Sequence, residues 1–100
     1  MEAFAALSDP TRRDIVELLA RRGELAAGDI AEHFDSARPT ISRHLRVLRD
    51  AGVVSVRSVA QQRRYGLETE RLAEIEAWLA RYRGFWAKHL IALDKKVKHR

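Results

Sequence analysis

The apolar residues of this chain change their spacing twice, and these two changes leave few possible folds. Up to Gly52 they recur every three or four residues, as on one face of an α-helix. Between Val53 and Leu67 they alternate with polar residues, which is typical of two short β-strands joined by a turn. From about Thr69 the helical spacing returns and continues nearly to the end. The pattern predicts a mainly α fold with a small β-hairpin: four helices, the hairpin and a fifth helix, in one domain over residues 1–100.

Residues that start and stop helices divide the first half of the chain. Asp9 can cap the second helix, Pro10 suits its first position and Gly23 suits its end. A short first helix precedes it at Glu2–Leu7. An extended piece around Leu25 and a two-turn helix at roughly residues 27–34 follow it.

The fourth helix, which begins near Arg38, has two different faces. At 100° per residue, its buried stripe consists of Ile41, Leu45 and Leu48. The opposite side is mostly cationic or hydroxylated, with Pro39, Ser42, Arg43, Arg46 and Asp50 exposed and Thr40 on its flank. His44 lies at the edge of the buried stripe. Ala37 cannot cap the helix through its side chain, so Asp35 or Ser36 is expected to do so one residue earlier.

The positive charge of the chain is concentrated around this helix. The net charge is +5, but residues 36–65 carry seven arginines and one aspartate, a net +6 that leaves −1 for the other seventy residues. Such a local excess favours a surface that binds a polyanion.

A turn of about four residues separates the third helix from the fourth, which is the arrangement of a helix-turn-helix motif. The second helix of such a pair enters the DNA major groove with its N-terminus first. Arginine, threonine and serine side chains can bond base edges there, and hairpin arginines can reach phosphates or the minor groove. With the hairpin, the pattern predicts a winged helix. The predicted DNA contacts are Arg38, Pro39, Thr40, Ser42, Arg43, His44, Arg46, Gln62, Arg63 and Arg64. A hydrogen-bonded role at the margin of the core remains an alternative for His44.

The last helix carries an apolar seam that is too long for a domain of this size. Its residues, spaced 3-4-3-4-4-3-4, are Leu72, Ile75, Leu79, Tyr82, Trp86, Leu90, Leu93 and Val97. They span about 39 Å of helix, whereas a small domain is about 30 Å across. Part of the seam should therefore form an interface. We expect a homodimer that forms through residues 1–8 and 69–98. The expected interface residues are Phe4, Leu7, Leu72, Ile75, Leu79, Tyr82, Trp86, Leu90 and Leu93. An aromatic ligand pocket around Trp78 and Phe85 is the alternative.

Four segments together resemble one protein family: "FAALSDPTRRDIVELLA", "ELAAGDIAEHF", "RPTISRHLRVLRDAGVV" and "QQRRYGLE". They resemble, in the same order, the ArsR-type winged-helix repressors of bacteria and archaea. The resemblance implies a homodimer that binds double-stranded operator DNA and represses transcription.

The metal ligands of that family are missing from this sequence. Metal-sensing members carry a cysteine pair where this chain has Ala26, Ala27 and Gly28, and Ala92 replaces an acidic zinc ligand of the last helix. The resemblance is therefore to the cysteine-free branch. We expect no cofactor and no metal, and an inducer of unknown identity.

Composition excludes several other classes of protein. The chain has no cysteine, no apolar run of the length that spans a bilayer and no basic start typical of a signal peptide, so we expect a cytoplasmic protein without a membrane partner. No residues converge on a catalytic pattern, so we expect no enzyme. Two alternatives remain for the function: a winged helix that binds another protein, and a repressor with a small-molecule or metal inducer site on the last helix.

Overall fold

The computed structural model describes residues 2–85 and 87–89, so Trp86, Leu90, Leu93 and Val97 of the predicted seam lie outside the described residues. Within these ranges the chain forms five named helices and three strands. They are α1 (Glu2–Ala6), α2 (Pro10–Arg22), β1 (Leu25–Ala26), α3 (Ala27–Glu32), α4 (Arg38–Asp50), β2 (Val54–Val59), β3 (Gln62–Leu67) and α5 (Thr69–Arg81). The predicted order of elements is confirmed.

Helix α2 begins and ends where its sequence predicts. The Asp9 carboxylate accepts a hydrogen bond from the backbone N–H of Arg12 at 3.0 Å, and Pro10 occupies the first turn. Gly23 ends the helix with φ of 80°, a value that a residue with a Cβ rarely adopts. Both ends of this helix are therefore determined locally.

The start of helix α4 differs from the prediction. The helix begins at Arg38 itself, which makes Ala37 the capping residue and leaves the helix without a side-chain cap. The expected cap by Asp35 or Ser36 is wrong. The Ala37 carbonyl instead accepts hydrogen bonds from the backbone N–H groups of Thr40 and Ile41, at 3.0 and 3.2 Å.

The predicted hairpin is part of a larger sheet. Strands β2 and β3 pair antiparallel with Val59 opposite Gln62, which leaves a two-residue turn with φ of 55° at Ala60. The extended piece around Leu25 is strand β1, and it pairs with β3 so that the order is β1-β3-β2. This added strand places the segment before α3 against the hairpin.

The core lies between the sheet and the apolar stripes of α2, α3 and α4. Ile41, Leu45 and Leu48 are at most 2% exposed, which confirms the predicted stripe of α4. Around them are Ile15, Leu18, Leu19, Ile30, Val53, Val54 and Tyr65. Because α4 is anchored along this whole stripe, its opposite side must face outward.

Helices α1 and α5 pack at the margin of this core. Helix α1 buries Ala3 and Ala6, while Phe4 is only partly buried and forms an edge-to-face contact with Trp78 of α5, with ring centroids 5.2 Å apart. In α5 only Ile75 is buried. The two terminal helices therefore contact each other through aromatic side chains.

The last helix is not continuous, contrary to the prediction. Helix α5 ends at Arg81, Tyr82 has φ of −110° and ψ of 10°, and helical conformation resumes at 83–85 and 87–89. Gly84 follows closely, and glycine costs about 1 kcal/mol relative to alanine inside a helix. The interruption therefore falls where helix propensity is weakest.

Candidate nucleic-acid interface

The outward side of helix α4 carries the predicted base-reading residues. The side chains of Arg38, Ser42, Arg43 and Arg46 are exposed, together with Pro39. Pro39, Arg43 and Arg46 lie on the side away from the stripe that anchors the helix, whereas Arg38 is the first residue of the helix. Thr40 is half-buried on the flank, and its Oγ1 accepts a hydrogen bond from Arg43 Nη2 at 3.5 Å. Four of the predicted contacts on this helix thus present cationic or hydroxyl groups on one surface.

His44 is held within the fold, at the junction of α4 with α2. Its side chain is 18% exposed, and its Nδ1 lies 3.4 Å from Arg12 Nη1 and 3.9 Å from Asp9 Oδ2. The backbone N–H of Arg12 is the main reason that the pKa of Asp9 lies below its ordinary value of 3.8. The hydrogen-bonded alternative is therefore the arrangement found here, and a DNA contact by His44 stays a prediction.

Two arginines at the start of α2 bind the end of α1. Arg12 Nε donates to the carbonyl of Ala6, and Arg13 Nη1 donates to the carbonyls of Leu7 and Ser8, at 3.0 and 3.2 Å. The last carbonyls of a helix have no partner within the helix, so they are strong acceptors for a nearby guanidinium.

The predicted hairpin contacts lie on both faces of strand β3. Arg63 is exposed, whereas Arg64 is half-buried and donates from Nη1 to Gln62 Oε1 at 3.2 Å. Arg64 also donates from Nε to Glu24 Oε1 at 3.0 Å and from Nη2 to the Glu24 carbonyl at 3.2 Å. All three nitrogens of this guanidinium therefore have partners inside the protein.

Glu24 is a functional candidate that no pattern in the sequence indicates. Besides Arg64, its carboxylate accepts two hydrogen bonds from Arg57 Nε, at 3.0 and 2.9 Å. The hydrogen bonds from Arg57 are the main reason that the pKa of Glu24 lies below its ordinary value of 4.5. The same bonds to Glu24 raise the pKa of Arg57. The partners are 33 and 40 residues away in sequence, so only the pairing of β1 with β3 reveals the contact.

The structure divides the seven arginines of residues 36–65 into two groups. Arg49 pairs with Asp50 at 3.3 Å, and Arg57 and Arg64 share Glu24. The others have no carboxylate partner within residues 2–85 and 87–89: they are Arg38, Arg43, Arg46 and Arg63. The available positive charge is therefore on the outward side of α4 and near the tip of the hairpin.

The predicted dimer residues fall into three groups. Ile75 is buried in the core of its own chain, and Phe4, Leu7 and Leu72 pack partly against that core. Leu79 and Tyr82 are 44% and 43% exposed. The remaining members, Trp86, Leu90 and Leu93, are outside the described residues.

The described part of the chain has neither a metal-binding cluster nor a membrane-spanning helix. Among the described residues, no three His, Cys, Asp or Glu side chains are grouped so that they could hold a metal ion. No helix there has both the length and the apolar character needed to cross a bilayer.

Comparison with known proteins agrees with this geometry. Residues 7–57 match a family model described as a helix-turn-helix domain. The transcriptional repressor SdpR of Bacillus subtilis is 44% identical over 79 residues, which cover 79% of this chain and 87% of SdpR. A crystal structure of an ArsR family transcriptional regulator superimposes with a TM-score of 0.75 at 34% identity, covering 86% of this chain and 88% of the other. The chain belongs to the ArsR family of winged helix-turn-helix repressors.

A further ArsR-type structure is relevant to assembly. The homodimeric winged helix-turn-helix DNA-binding domain from Mycobacterium bovis, a possible ArsR-family regulator, matches with a TM-score of 0.67 at 29% identity. The match covers 79% of this chain and 72% of that one. Within the ArsR family, this chain has no cysteine and therefore no thiolate metal ligand.

Proposed function

We propose that this chain represses transcription as a homodimer that binds a palindromic operator. The observation that carries the proposal is the set of arginines without a carboxylate partner on the outward side of α4 and near the hairpin tip, in a chain of the ArsR family. In this proposal α4 lies in the major groove, the hairpin contacts the DNA backbone, and no catalytic step is involved.

Helix α4 supplies both specificity and affinity. Arg38 and Arg43 lie in its N-terminal half, where side chains reach base edges, and arginine forms paired hydrogen bonds with guanine. Arg46 lies one turn further along and contacts phosphate, with Arg63 adding a second phosphate contact from the hairpin. The half-buried Arg64 is the weakest of the predicted contacts because Glu24 and Gln62 already accept its hydrogen bonds.

Helices α1 and α5 form the dimer in this proposal. Leu79 and Tyr82 of the seam are more than two-fifths exposed, and an exposed apolar strip on a small protein normally marks an interface. Ile75 contributes indirectly, because it fixes α5 on the core of its own chain. A two-fold axis would place two copies of α4 about 34–36 Å apart, which is one turn of DNA.

Selection of preferred sites from a random DNA pool, followed by titration at several salt concentrations, tests this function. We expect a palindromic site, and we expect log affinity to fall with log salt by about 0.9 per phosphate neutralised. A flat salt response, or equal binding to all sequences, would contradict the proposal; the latter would favour the alternative of a module that binds another protein.

The dimer has its own test in Leu79→Glu, which places a charge in the exposed seam. We expect a monomer that loses most of its operator affinity, measured by analytical ultracentrifugation and DNA titration. Ala77→Glu is the control, because Ala77 is exposed on the other side of α5 and gains the same charge. If the Leu79 variant remains dimeric and binds the operator normally, the interface lies elsewhere.

A further inference from the structure

The outer face of the hairpin holds a carboxylate between two arginines. Arg57 on β2 and Arg64 on β3 are directly opposite each other, so their side chains leave the sheet on the same face. Glu24, immediately before β1, extends across that face and bonds both. Its stem runs beside β3: a Cβ placed on Gly66 would lie 3.8 Å from the Cβ and Cγ atoms of Glu24.

The two arginines of this cluster have different amounts of freedom. The Arg64 side chain is 29% exposed, and its three nitrogens bond Glu24 Oε1, the Glu24 carbonyl and Gln62. The Arg57 side chain is 67% exposed, and its guanidinium bonds the two oxygens of the Glu24 carboxylate, with Nη2 2.9 Å from Oε1. Arg64 thus ties β1 to β3, whereas Arg57 is a surface cation bonded to a carboxylate that it shares with Arg64.

A carboxylate and a phosphate are competing acceptors for a guanidinium. Both accept paired hydrogen bonds from it, so Arg57 cannot give its Nε and Nη2 donors to Glu24 and to DNA at once. Glu24 also places a negative charge on this face of the hairpin, which lowers the positive potential that an approaching phosphate meets there. We infer that Glu24 withholds Arg57 from DNA phosphates and thereby limits the sequence-independent affinity of the repressor. This inference rests on the proposed function.

The decisive variant is Glu24→Gln, which removes the charge but keeps an oxygen that can accept from Arg64 Nε. The probe is a duplex of random sequence, titrated at several salt concentrations by fluorescence anisotropy. Releasing Arg57 from its ion pair with Glu24 in each protomer should tighten binding about 2- to 10-fold at low salt. The log–log salt slope should become steeper by about 0.9 per protomer, one added phosphate contact. An unchanged slope would overturn the inference.

A second variant, Arg57→Gln, tests the same idea independently of how well the Glu24 variant folds. In the wild-type background it should leave the salt slope unchanged, because the Arg57 guanidinium is already bonded to Glu24. Combined with Glu24→Gln, it should remove the added slope. If Arg57→Gln alone lowers the slope, then Arg57 contacts phosphate in spite of Glu24, and the inference is wrong.

Glu17→Gln is the matched control for overall charge. Glu17 is exposed on α2 and has no ion-pair partner in the described part of the chain. We expect it to change random-duplex affinity much less than Glu24→Gln does; an equal increase would mean that net charge, not the release of Arg57, is responsible. Absence of DNA binding by the wild type would refute the proposed function itself. Normal wild-type binding with an inert Glu24 variant would refute only this inference.

Discussion

Helix α4 and the hairpin β2–β3 are both rich in arginine, yet they differ in what surrounds the guanidinium groups. On α4, Arg38, Arg43 and Arg46 are exposed and have no carboxylate partner among residues 2–85 and 87–89. On the hairpin, Arg57 and Arg64 are both bound by Glu24. A run of positive charge in a sequence therefore does not measure the charge available to a partner. A single carboxylate from a distant segment changes the role of two residues.

The largest expected effect concerns the stability that allows α4 to display its arginines. Leu48 is fully buried on the inner side of that helix. Leu48→Ala should therefore lower the free energy of unfolding by about 2–5 kcal/mol, through lost burial and the cavity left behind. Chemical denaturation measures this change. The neighbouring Val47 is 40% exposed, and Val47→Ala should cost much less. Equal losses would show that α4 is not held by its buried stripe.

The next effect separates base contacts from charge on α4. Arg43→Ala should weaken specific operator binding by about 1–3 kcal/mol and relax the preference at one base position per half-site. Titration of the operator and of single-base variants measures both quantities. Arg49→Ala serves as the control, because Arg49 already pairs with Asp50. A loss that is the same for every sequence would show that Arg43 does not read a base.

A smaller effect is expected at the next turn of the same helix. Arg46→Ala should weaken binding to all sequences alike and reduce the salt slope by about one per monomer, because it removes a phosphate contact. Titration of operator and random duplexes at several salt concentrations distinguishes this result from that of Arg43→Ala. Identical behaviour of the two variants would refute the division of α4 into base and phosphate contacts.

The smallest effect is on how the free energy of unfolding depends on pH, and it concerns Glu24, which bonds the hairpin arginines. The pKa of Glu24 is lowered below 4.5, chiefly by hydrogen bonds from Arg57 and then from Arg64. The folded state therefore binds this proton less readily than the unfolded chain does. The stabilising contribution is present above the unfolded pKa and is lost as pH falls through the lower folded value.

This expectation is measured as the free energy of unfolding from about pH 6 down to about pH 3. Glu24→Gln should remove part of the decline seen in the wild type. Asp9, whose pKa is also lowered, mainly by the backbone N–H of Arg12, should account for another part, removed by Asp9→Asn. Profiles that coincide for all three proteins would show that neither carboxylate is better ionised in the folded state.

Most of the fold could be predicted because its signals are local. Asp9, Pro10 and Gly23 act on the backbone beside them. Asp9 and Pro10 start helix α2 and Gly23 ends it, as expected. The failures also have local causes: Ala37 takes the capping position of α4, and the last helix is interrupted at Tyr82, near Gly84. The exact capping residue of a helix, and a short interruption within it, depend on small differences in free energy. The spacing of apolar residues carries no information about these differences.

Helical periodicity alone specifies which side of α4 faces inward, because the 100° rotation between successive residues places Ile41, Leu45 and Leu48 on one stripe. Which arginines have a carboxylate partner depends instead on contacts between distant segments. Glu24 meets Arg57 and Arg64 across 33 and 40 residues because β1 pairs with β3 in one register. Arg12 and Arg13 bind carbonyls at and just after the end of α1 because the turn at residues 7–9 places these carbonyls beside the start of α2. The electrostatic environment of a side chain depends on neighbours in space, and periodicity along the chain specifies only the direction in which the side chain points.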